Sequence, residues 1–389
     1  MSGGALTGVR VVDFSLYLPG PYLTRVLCDL GAEVIKIEPL RGDPGAEFMP
    51  GVYPFLNRGK RILRVNLKEP DGMAFARELA ASASVVVEGF RPGVADRLGI
   101  GFSACAALKP GLIYCSVSGY GQTGPERDHP GHDIGYEAGG GAYAAALAAG
   151  DELSAPIIPV GDLGGALFGA TTICAHLAAR RTEPVHLDVA LQEAVTHLSI
   201  SRWAAALRDG AEVEIAQLAA FSPGMGMFRT ADDRWVALAS VEDKFWDRMC
   251  DALKLTELCA PPFSEHAARM RNRASLRHRL TERIGEFTLA ELETSLRAHD
   301  VPLDVVRGAQ EVPANPHLRA RELFLETGAG THIDYPVRQN GVRSTATLEV
   351  QDHRAGESAA LRALGISAER ESDLRSAGIL TASAIGATV

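Results

Sequence analysis

Two acid–base side chains stand next to each other in a context that suits catalysis. His132 and Asp133 are neighbours in the stretch GHDIGY, which glycine and proline punctuate as a polar turn. A histidine beside a carboxylate is readily poised as a general base near neutral pH. His129 lies three residues earlier and competes for the same role. Taken singly, a histidine in such a turn is more often an ordinary surface residue.

A second candidate, Asp162, opens the glycine-rich stretch GDLGGALFGATTICAHLAARR. Its apolar spacing predicts a helix over 161–181 with a thin surface that can pack closely on another backbone. By spacing alone, Asp162 is expected to be the N-cap of this helix. The functional interpretation is an anion site, formed by the first-turn N–H groups beside the carboxylate. The two interpretations are compatible.

An acid and several cations complete the candidate set. Glu242 follows the predicted strand RWVALAS and precedes a helix, where the helix dipole favours an acid in the first turn. Arg91 in EGFRPGV and the cluster LNRGKR (56–61) are suited to holding phosphates as forked or point-charge donors. Taken singly, each of these cations is more often a solvated surface residue.

Other chemistries lack their motifs. No H-E-x-x-H, Cys/His ligand spacing or EF-hand loop is present, so no metal is predicted, and no G-x-S-x-G indicates a serine hydrolase. The turn SLYLPGP is not a G-x-G-x-x-G, which weakens the case for NAD. A net charge of −9 without Lys/Arg runs argues against nucleic acid or an anionic membrane as partner. Six scattered cysteines and a start without a secretory pattern predict a cytoplasmic protein with reduced thiols.

The elements that must position these residues alternate along the first third of the chain. Apolar runs at 8–15, 33–39, 84–90 and 111–119 are separated by helical stretches, which predicts a parallel sheet with helices on both faces. With 389 residues, the chain is expected to form two domains. From about residue 221 a smaller α+β unit begins, with a hairpin turning at Asp232 and Asp233. The tail of the chain, from about residue 325, is predicted to return to the first domain.

Six segments, in order from residue 6 to about 325, resemble the class III CoA-transferase family, which includes the α-methylacyl-CoA racemases. The segments include LTGVRVVDFSLYLPGP, FLNRGKRILRVNLKEPDG, VVVEGFRPGVADRLGIG, SGYGQTGPERDHPGHDIGY, PVGDLGGALFG and VPLDVVRGAQEVPANPHLRARELF. Six motifs in family order make the match specific.

The resemblance implies a Rossmann-like large domain built from both chain ends, plus a smaller α+β domain, in an interlocked homodimer. The corresponding ranges are 1–205 for the large CoA-binding domain, 221–322 for the small domain and 323–389 for the returning segment. The family's CoA site matches positions that here carry Asn57, Arg58, Lys60, Arg61, Lys68 and Arg91. No cofactor is implied beyond the CoA of the substrate.

The resemblance also implies two chemistries. In the transferases, the aspartate that matches Asp162 is a nucleophile that becomes an acyl anhydride and then an aspartyl-CoA thioester. In the racemases, it is one of two proton-transfer groups; the other is a histidine in a G-H-D-I-N-Y-like stretch, accompanied by a glutamate in an A-x-E-P-x-F-like segment. His132, Asp162 and Glu242 match the racemase set, and transferases typically lack the histidine.

Departures from the family pattern bear on the acyl group. Gly135 replaces the usual asparagine and Asp243 replaces a proline, while RRTEPVHLDVA lacks a basic G-K-G-Q-like stretch. Asp133 is expected to orient the turn. Together with Gly135 and Tyr136 it is assigned to the acyl pocket.

The leading hypothesis is a racemase or epimerase of 2-methylacyl-CoA or a related 2-substituted acyl-CoA, acting by 1,1-proton transfer. Helix N–H groups near Asp162 are expected to hold the enolate, and Glu242 is expected to orient His132 from its own chain or from the partner chain. The alternative is a class III CoA-transferase that uses Asp162 as nucleophile. A non-catalytic CoA-thioester binding protein is a third hypothesis, and an NAD-dependent enzyme a distant fourth.

Overall fold

A six-stranded parallel sheet organises the first part of the chain in this computed structural model, which describes residues 4–155, 158–209, 222–327, 330–343 and 353–381. The strand order is β3-β2-β1-β4-β5-β6, so the order reverses between β1 and β4. Ligands of such sheets bind outside the carboxyl ends of the strands at this reversal. The strands are β1 Arg10–Asp13, β2 Glu33–Glu38, β3 Arg61–Arg64, β4 Val85–Glu88, β5 Ile113–Ser118 and β6 Val185–Ala190.

Helices connect these strands and cover both faces of the sheet, which confirms the predicted α/β class. Pro70 stands at the first position of its helix, where the missing N–H costs no hydrogen bond. The helices up to residue 209 are α1 Pro19–Asp29, α2 Gly45–Phe48, α3 Tyr53–Asn57, α4 Pro70–Ala81, α5 Val94–Arg97, α6 Phe102–Ala106, α7 Asp133–Gly139, α8 Ala144–Ala149, α9 Val160–Ala179, α10 Leu191–Leu198 and α11 Ile200–Asp209.

Alternate residues of the strands feed two separate cores. On one face, Val12 and Val86 pack with helix α4 and with residues near the C-terminus. On the other face, Val11 and Val85 pack with α1 and α9. Strands buried on both faces explain why the sequence shows continuous Val/Ile runs here instead of alternation.

By packing, the chain divides into two compact units. The first unit comprises residues 1–143, 153–201 and 321–389, and the second comprises 144–152 and 202–320. In the first unit, a bridge joins Val65 to Leu380, and the Asn66 N–H donates to the Ile379 carbonyl at 2.8 Å. Residues near the C-terminus thus pack against the segment that follows β3, and the predicted domain ranges stay a prediction. The predicted start of the small domain at residue 221 lies outside the described residues.

The second unit holds a three-stranded antiparallel sheet packed on helices. Its hairpin turns at Asp233, whose φ is +65°, at the predicted position. Thr288 and Glu291 form a reciprocal capping box at the start of one helix. The elements are β7 Met225–Arg229, β8 Trp235–Ala239, β9 Leu303–Val305, α12 Asp243–Ala252, a 3-10 turn Thr256–Leu258, α13 His266–Arg271, α14 Arg273–Ile284, α15 Leu289–Ala298 and α16 Pro316–Ala320.

The returning segment of the first unit consists of two short hairpins and two helices. Within the described residues, no helix is both long and apolar enough to cross a membrane. The elements are β10 Phe324–Thr327, β11 Gly330–Ile333, β12 Arg338–Gln339, β13 Val342–Arg343, α17 His353–Ala363 and α18 Ala368–Ser376.

Candidate active site

The start of helix α7 lies beside the first turn of helix α9. His132 is the N-cap residue of α7, and its carbonyl accepts the N–H groups of Gly135 at 2.8 Å and Tyr136 at 3.2 Å. Its side chain makes no capping hydrogen bond and the residue is exposed. The next residue, Asp133, accepts the backbone N–H of Asp162 through Oδ1 at 2.9 Å. His132 therefore lies one residue away from the group that fixes the Asp162 backbone.

The prediction that Asp162 is an N-cap is wrong. The helix begins at Val160 with Pro159 as its N-cap residue, so Asp162 is the third helical residue. Its own N–H is bonded by Asp133, and the N–H of Val160 is bonded by Glu137 Oε1 at 3.0 Å. Two first-turn N–H groups of α9 are thus taken by carboxylates and are not available to an enolate.

Asp162 carries a strongly perturbed carboxyl group. Burial raises its pKa from 3.8 to about 7, and the negative charges of Asp133 and Glu137 act in the same direction. A carboxyl group that exchanges its proton near neutral pH is suited to acid–base work. The same raised pKa means that the folded state disfavours the ionised form of Asp162.

Tyr136 forms the wall beside these groups. Its buried ring stands edge-on to Tyr120, with centroids 5.3 Å apart. A Cβ at Gly119 or Gly131 would lie 2.5 Å from Tyr136 Cε1, so both positions need glycine for this close approach. Burial raises the pKa of Tyr136 to about 12. Asp162 reinforces that rise and Arg91 opposes it, so both charges act on this ring.

Gly135 is not required by the backbone. A Cβ built there meets nothing closer than the Tyr120 hydroxyl at 4.0 Å, and the residue is exposed on the first turn of α7. An asparagine side chain, expected from the family pattern, would therefore have room. Its absence leaves open space next to His132.

The candidates for binding CoA fall into two groups. Asn57, Arg58 and Lys60 are buried. Lys60 Nζ lies 3.4 Å from Asp13 Oδ2 and donates to Asn57 Oδ1 at 3.1 Å, within a network below the β1–α1 connection. Arg58 lies between Asp29 and Asp334, with N–O distances of 3.8 Å to each. These contacts give the buried group a role in holding the fold.

The remaining three cations reach the surface of the same unit. Arg61 is partly exposed and pairs with Glu33 at 3.2 Å, while Lys68 and Arg91 are exposed. Lys68 and Arg91 follow β3 and β4, so both stand at the carboxyl edge of the parallel sheet. That edge is where a phosphorylated ligand is expected to bind.

Glu242 belongs to the second unit. It is the N-cap residue of α12 and not a first-turn residue, and its carbonyl accepts the N–H groups of Phe245 and Trp246, each at 2.9 Å. The neighbouring Asp243 forms an ion pair with the buried Arg269. The predicted role of Glu242 in orienting His132 stays a prediction.

Sequence reasoning missed Glu137. This buried residue stands four positions after Asp133 on α7, the spacing that places two side chains on one helix face. That i,i+4 pair of acids was the available signal. Among the described residues, no cluster of three or more His, Cys, Asp or Glu side chains could hold a metal ion.

Comparison with known proteins places this site in a family. The sequence profile of CoA-transferase family III matches residues 6–355. The chain belongs to CoA-transferase family III. Among its relatives, a succinyl-CoA–D-citramalate CoA-transferase of Chloroflexus aurantiacus is 31% identical and covers 82% of this chain and 83% of its own. An acetyl-CoA:oxalate CoA-transferase of Acetobacter aceti is also 31% identical, covering 87% and 90% respectively.

Solved structures share the fold of this family III protein. A CaiB/BaiF family protein from Brucella suis superposes with a TM-score of 0.81 at 25% identity, covering 94% of this chain and all of that one. A hypothetical protein from Mycobacterium tuberculosis gives a TM-score of 0.78 at 27% identity, covering 92% and 99%. The resemblance to this family inferred from the motifs is therefore confirmed.

Proposed function

We propose that this family III enzyme is a racemase or epimerase of 2-methylacyl-CoA or a related 2-substituted acyl-CoA. The observation that carries the proposal is the junction of α7 and α9. There, His132 adjoins the carboxylate that binds the Asp162 backbone, and the pKa of Asp162 is raised to about 7. Inversion of an acidic carbon requires two acid–base groups, and an imidazole together with a carboxyl group of raised pKa meets that requirement.

In one direction, neutral His132 removes the α-proton, and the electron pair of the C–H bond delocalises into the thioester carbonyl as an enolate. Protonated Asp162 then delivers its proton to the opposite face of the α-carbon. The product leaves His132 protonated and Asp162 ionised. In the other direction, Asp162 is the base and His132 the acid, so the enzyme returns to its first protonation state without a cofactor.

The raised pKa of Asp162 supports this division of labour. A carboxyl group with an ordinary pKa near 3.8 would be almost fully ionised at pH 7 and could not serve as the acid. Burial against α7 keeps a substantial fraction protonated. The N–H groups that the carboxylates occupy cannot stabilise the enolate, so the donor for its oxygen is left unassigned by this proposal.

The other predicted site residues also have proposed roles. Lys68 and Arg91, at the carboxyl edge of the sheet, are the surface cations proposed to hold the CoA phosphates, and Gly135 and Tyr136 are proposed to line the acyl pocket. Arg61 begins β3 at the opposite edge, so no phosphate contact is proposed for it. Glu242 is proposed to orient His132, and a homodimer in the cytoplasm is the proposed state of the enzyme. No metal or separate cofactor is part of this proposal.

CoA transfer is the second candidate, and the named relatives favour it more directly than they favour racemisation. The Chloroflexus and Acetobacter relatives are both CoA-transferases. In that chemistry, ionised Asp162 attacks the thioester carbonyl and expels CoA thiolate, leaving a mixed anhydride. CoA thiolate then attacks the Asp162 carbonyl of this anhydride, which releases the donor carboxylate and forms an aspartyl-CoA thioester. An acceptor carboxylate attacks that thioester and expels CoA thiolate, and the thiolate opens the second anhydride at the acceptor carbonyl to give the new acyl-CoA and free Asp162. His132 has no assigned role in those steps.

One experiment separates the two candidates. The enzyme is incubated with a 2-methylacyl-CoA in deuterated buffer without any acceptor acid, and α-deuterium is followed by mass spectrometry. Incorporation at the α-carbon of both epimers, lost in Asp162→Ala from the epimer whose α-proton Asp162 removes, supports the racemase. No incorporation, together with CoA passing to an added carboxylate and hydroxylamine trapping an Asp162 adduct, establishes the transferase instead.

A further inference from the structure

A second carboxyl group reaches the start of α9 from α7. Glu137 is 3% exposed, and its Oε1 accepts the Val160 N–H at 3.0 Å. Its Oε2 accepts the Tyr143 hydroxyl at 3.1 Å. One turn earlier on the same helix, Asp133 accepts the Asp162 N–H. The two acids of α7 therefore clamp the first and third residues of α9.

We infer that Glu137 positions Asp162 and places a negative charge beside its carboxyl group. Its bond to Val160 fixes where α9 begins, and Asp133, one turn earlier on α7, fixes the Asp162 backbone. Because Asp162 follows Val160 by two residues, the direction of its side chain depends on this first turn. The inference rests on the proposed function only where it predicts a change in the pH dependence of α-deuterium exchange.

The clamp is also the electrostatic environment of Asp162. Asp133 and Glu137 are the charged groups of α7 that act on it, and Tyr136 is the third titratable group on that helix within range. From α10, the side chains against the first turns of α9 are the apolar Leu191, Val195 and Leu198. Arg91 acts on Tyr136 from the loop after β4.

Glutamate suits this place because it accepts two bonds and carries a charge. Burial disfavours the charged form of a carboxyl group, and a neighbouring acid disfavours it further. The pKa of Glu137 is accordingly raised, with burial as the main cause and the negative charge of Asp133 acting in the same direction. A glutamine can keep the bond to Val160 but cannot carry the charge.

The test compares Glu137→Gln with a matched control. Glu357 is also buried, and it accepts the backbone N–H of Arg64 at 3.1 Å, away from α7 and α9. Glu357 also pairs with Arg375 at 2.8 Å. Glu357→Gln therefore removes a buried negative charge elsewhere in the same unit and leaves the clamp intact. The readout is the ¹³C chemical shift of the Asp162 carboxyl group against pH in the full-length protein, assigned with Asp162→Asn. It requires no turnover.

Glu137→Gln is expected to move the Asp162 titration to lower pH by more than about 0.5 unit, because one negative charge that raises its pKa is gone. Glu357→Gln should leave it in place. The pH limb of α-deuterium exchange that belongs to Asp162 should shift with the NMR titration. An unchanged Asp162 titration in Glu137→Gln would overturn the inference. If wild-type protein shows no exchange, the racemase proposal fails, and the NMR shift alone decides on Glu137.

Discussion

At the level of single residues, the proposed racemisation depends on His132 and Asp162, one acting as base and the other as acid on the α-carbon. The pair works in either direction only if one member is protonated and the other is not. A raised pKa at Asp162 makes that condition reachable near pH 7. Asp133 connects the two residues, because its carboxylate accepts the backbone N–H of Asp162 and it directly follows His132 in the sequence.

Replacing His132 should abolish epimerisation in both directions. His132→Asn is expected to lower kcat by about 10²–10⁴-fold, because each direction uses the imidazole as either base or acid. His129→Asn is the control, since His129 is an exposed histidine whose ring stands edge-on to Tyr120 at 5.6 Å. The rates are followed by chiral analysis of the acyl group. Equal losses in the two variants would contradict the assignment of His132.

Filling the space at Gly135 should change substrate preference without harming the fold. Gly135→Asn meets nothing within ordinary contact distance of its Cβ, so the free energy of unfolding should change by less than about 0.5 kcal/mol. The kcat/KM for acyl-CoAs with bulky 2-substituents should fall by roughly 10-fold relative to a 2-methyl substrate. An unaltered ratio between the two substrates would show that Gly135 does not border the acyl pocket.

At the scale of elements, the N-terminus of α9 is specialised at a cost in stability. Asp162 is buried beside two other acids, so the folded state disfavours its ionised form. A group whose folded pKa is raised reduces stability above that pKa, and it has no effect below its unfolded pKa. For Asp162 the loss is therefore complete above about pH 7 and absent below about 3.8.

Asp162→Asn should accordingly stabilise the protein at alkaline pH. The free energy of unfolding at pH 8 is expected to rise by up to about 4 kcal/mol, with little change at pH 3.5. Urea unfolding at the two pH values measures this. Asp232→Asn is a control of opposite sign, because hydrogen bonding to Thr230 lowers the pKa of Asp232, so its replacement should destabilise at pH 8. A pH-independent effect of Asp162→Asn would contradict the argument.

The β1–α1 connection shows a second element-scale feature, the buried network of Lys60. Burial raises the pKa of Asp13, but the charges of Lys60 and Lys36 outweigh this and hold the pKa below its usual value. Removing one partner of a buried pair leaves an uncompensated charge. The network is therefore expected to stabilise the fold instead of binding CoA.

Lys60→Met should destabilise the protein by about 3–5 kcal/mol. Arg91→Ala, which removes an exposed cation at the sheet edge, should leave stability within about 0.5 kcal/mol and weaken CoA binding. Urea unfolding and calorimetric titration with CoA distinguish the two effects. Lys60→Met with normal stability but weakened CoA binding would reverse the assignment.

The strands and helices were easier to predict from the sequence than the tertiary contacts between them. The Val/Ile runs of β1, β2, β4 and β5 are recognisable because burial on both faces demands them. The start of α9 was misplaced because its first N–H groups are satisfied by acids of another helix, which depends on tertiary packing. Burial of Arg58 was equally hidden, since its partners Asp29 and Asp334 are far away in sequence.

At the scale of the whole molecule, membership of CoA-transferase family III and the shared fold leave the chemistry to the site, because one fold can host several reactions. The named relatives move CoA between acids, whereas the acid–base pair of this chain is suited to moving a proton. The proposed racemase activity therefore depends on the junction of α7 and α9.

The most direct test starts from a single epimer of a 2-methylacyl-CoA in deuterated buffer without acceptor acid. Optical purity and α-deuterium content are followed in the same samples. Deuterium should enter as optical purity is lost, and optical purity should be retained with Asp162→Ala and with His132→Asn. The variant that keeps the base facing the α-proton can still exchange that proton without inversion. Retention of configuration without deuterium in the wild-type enzyme, while an added carboxylate receives CoA, would contradict the racemase proposal.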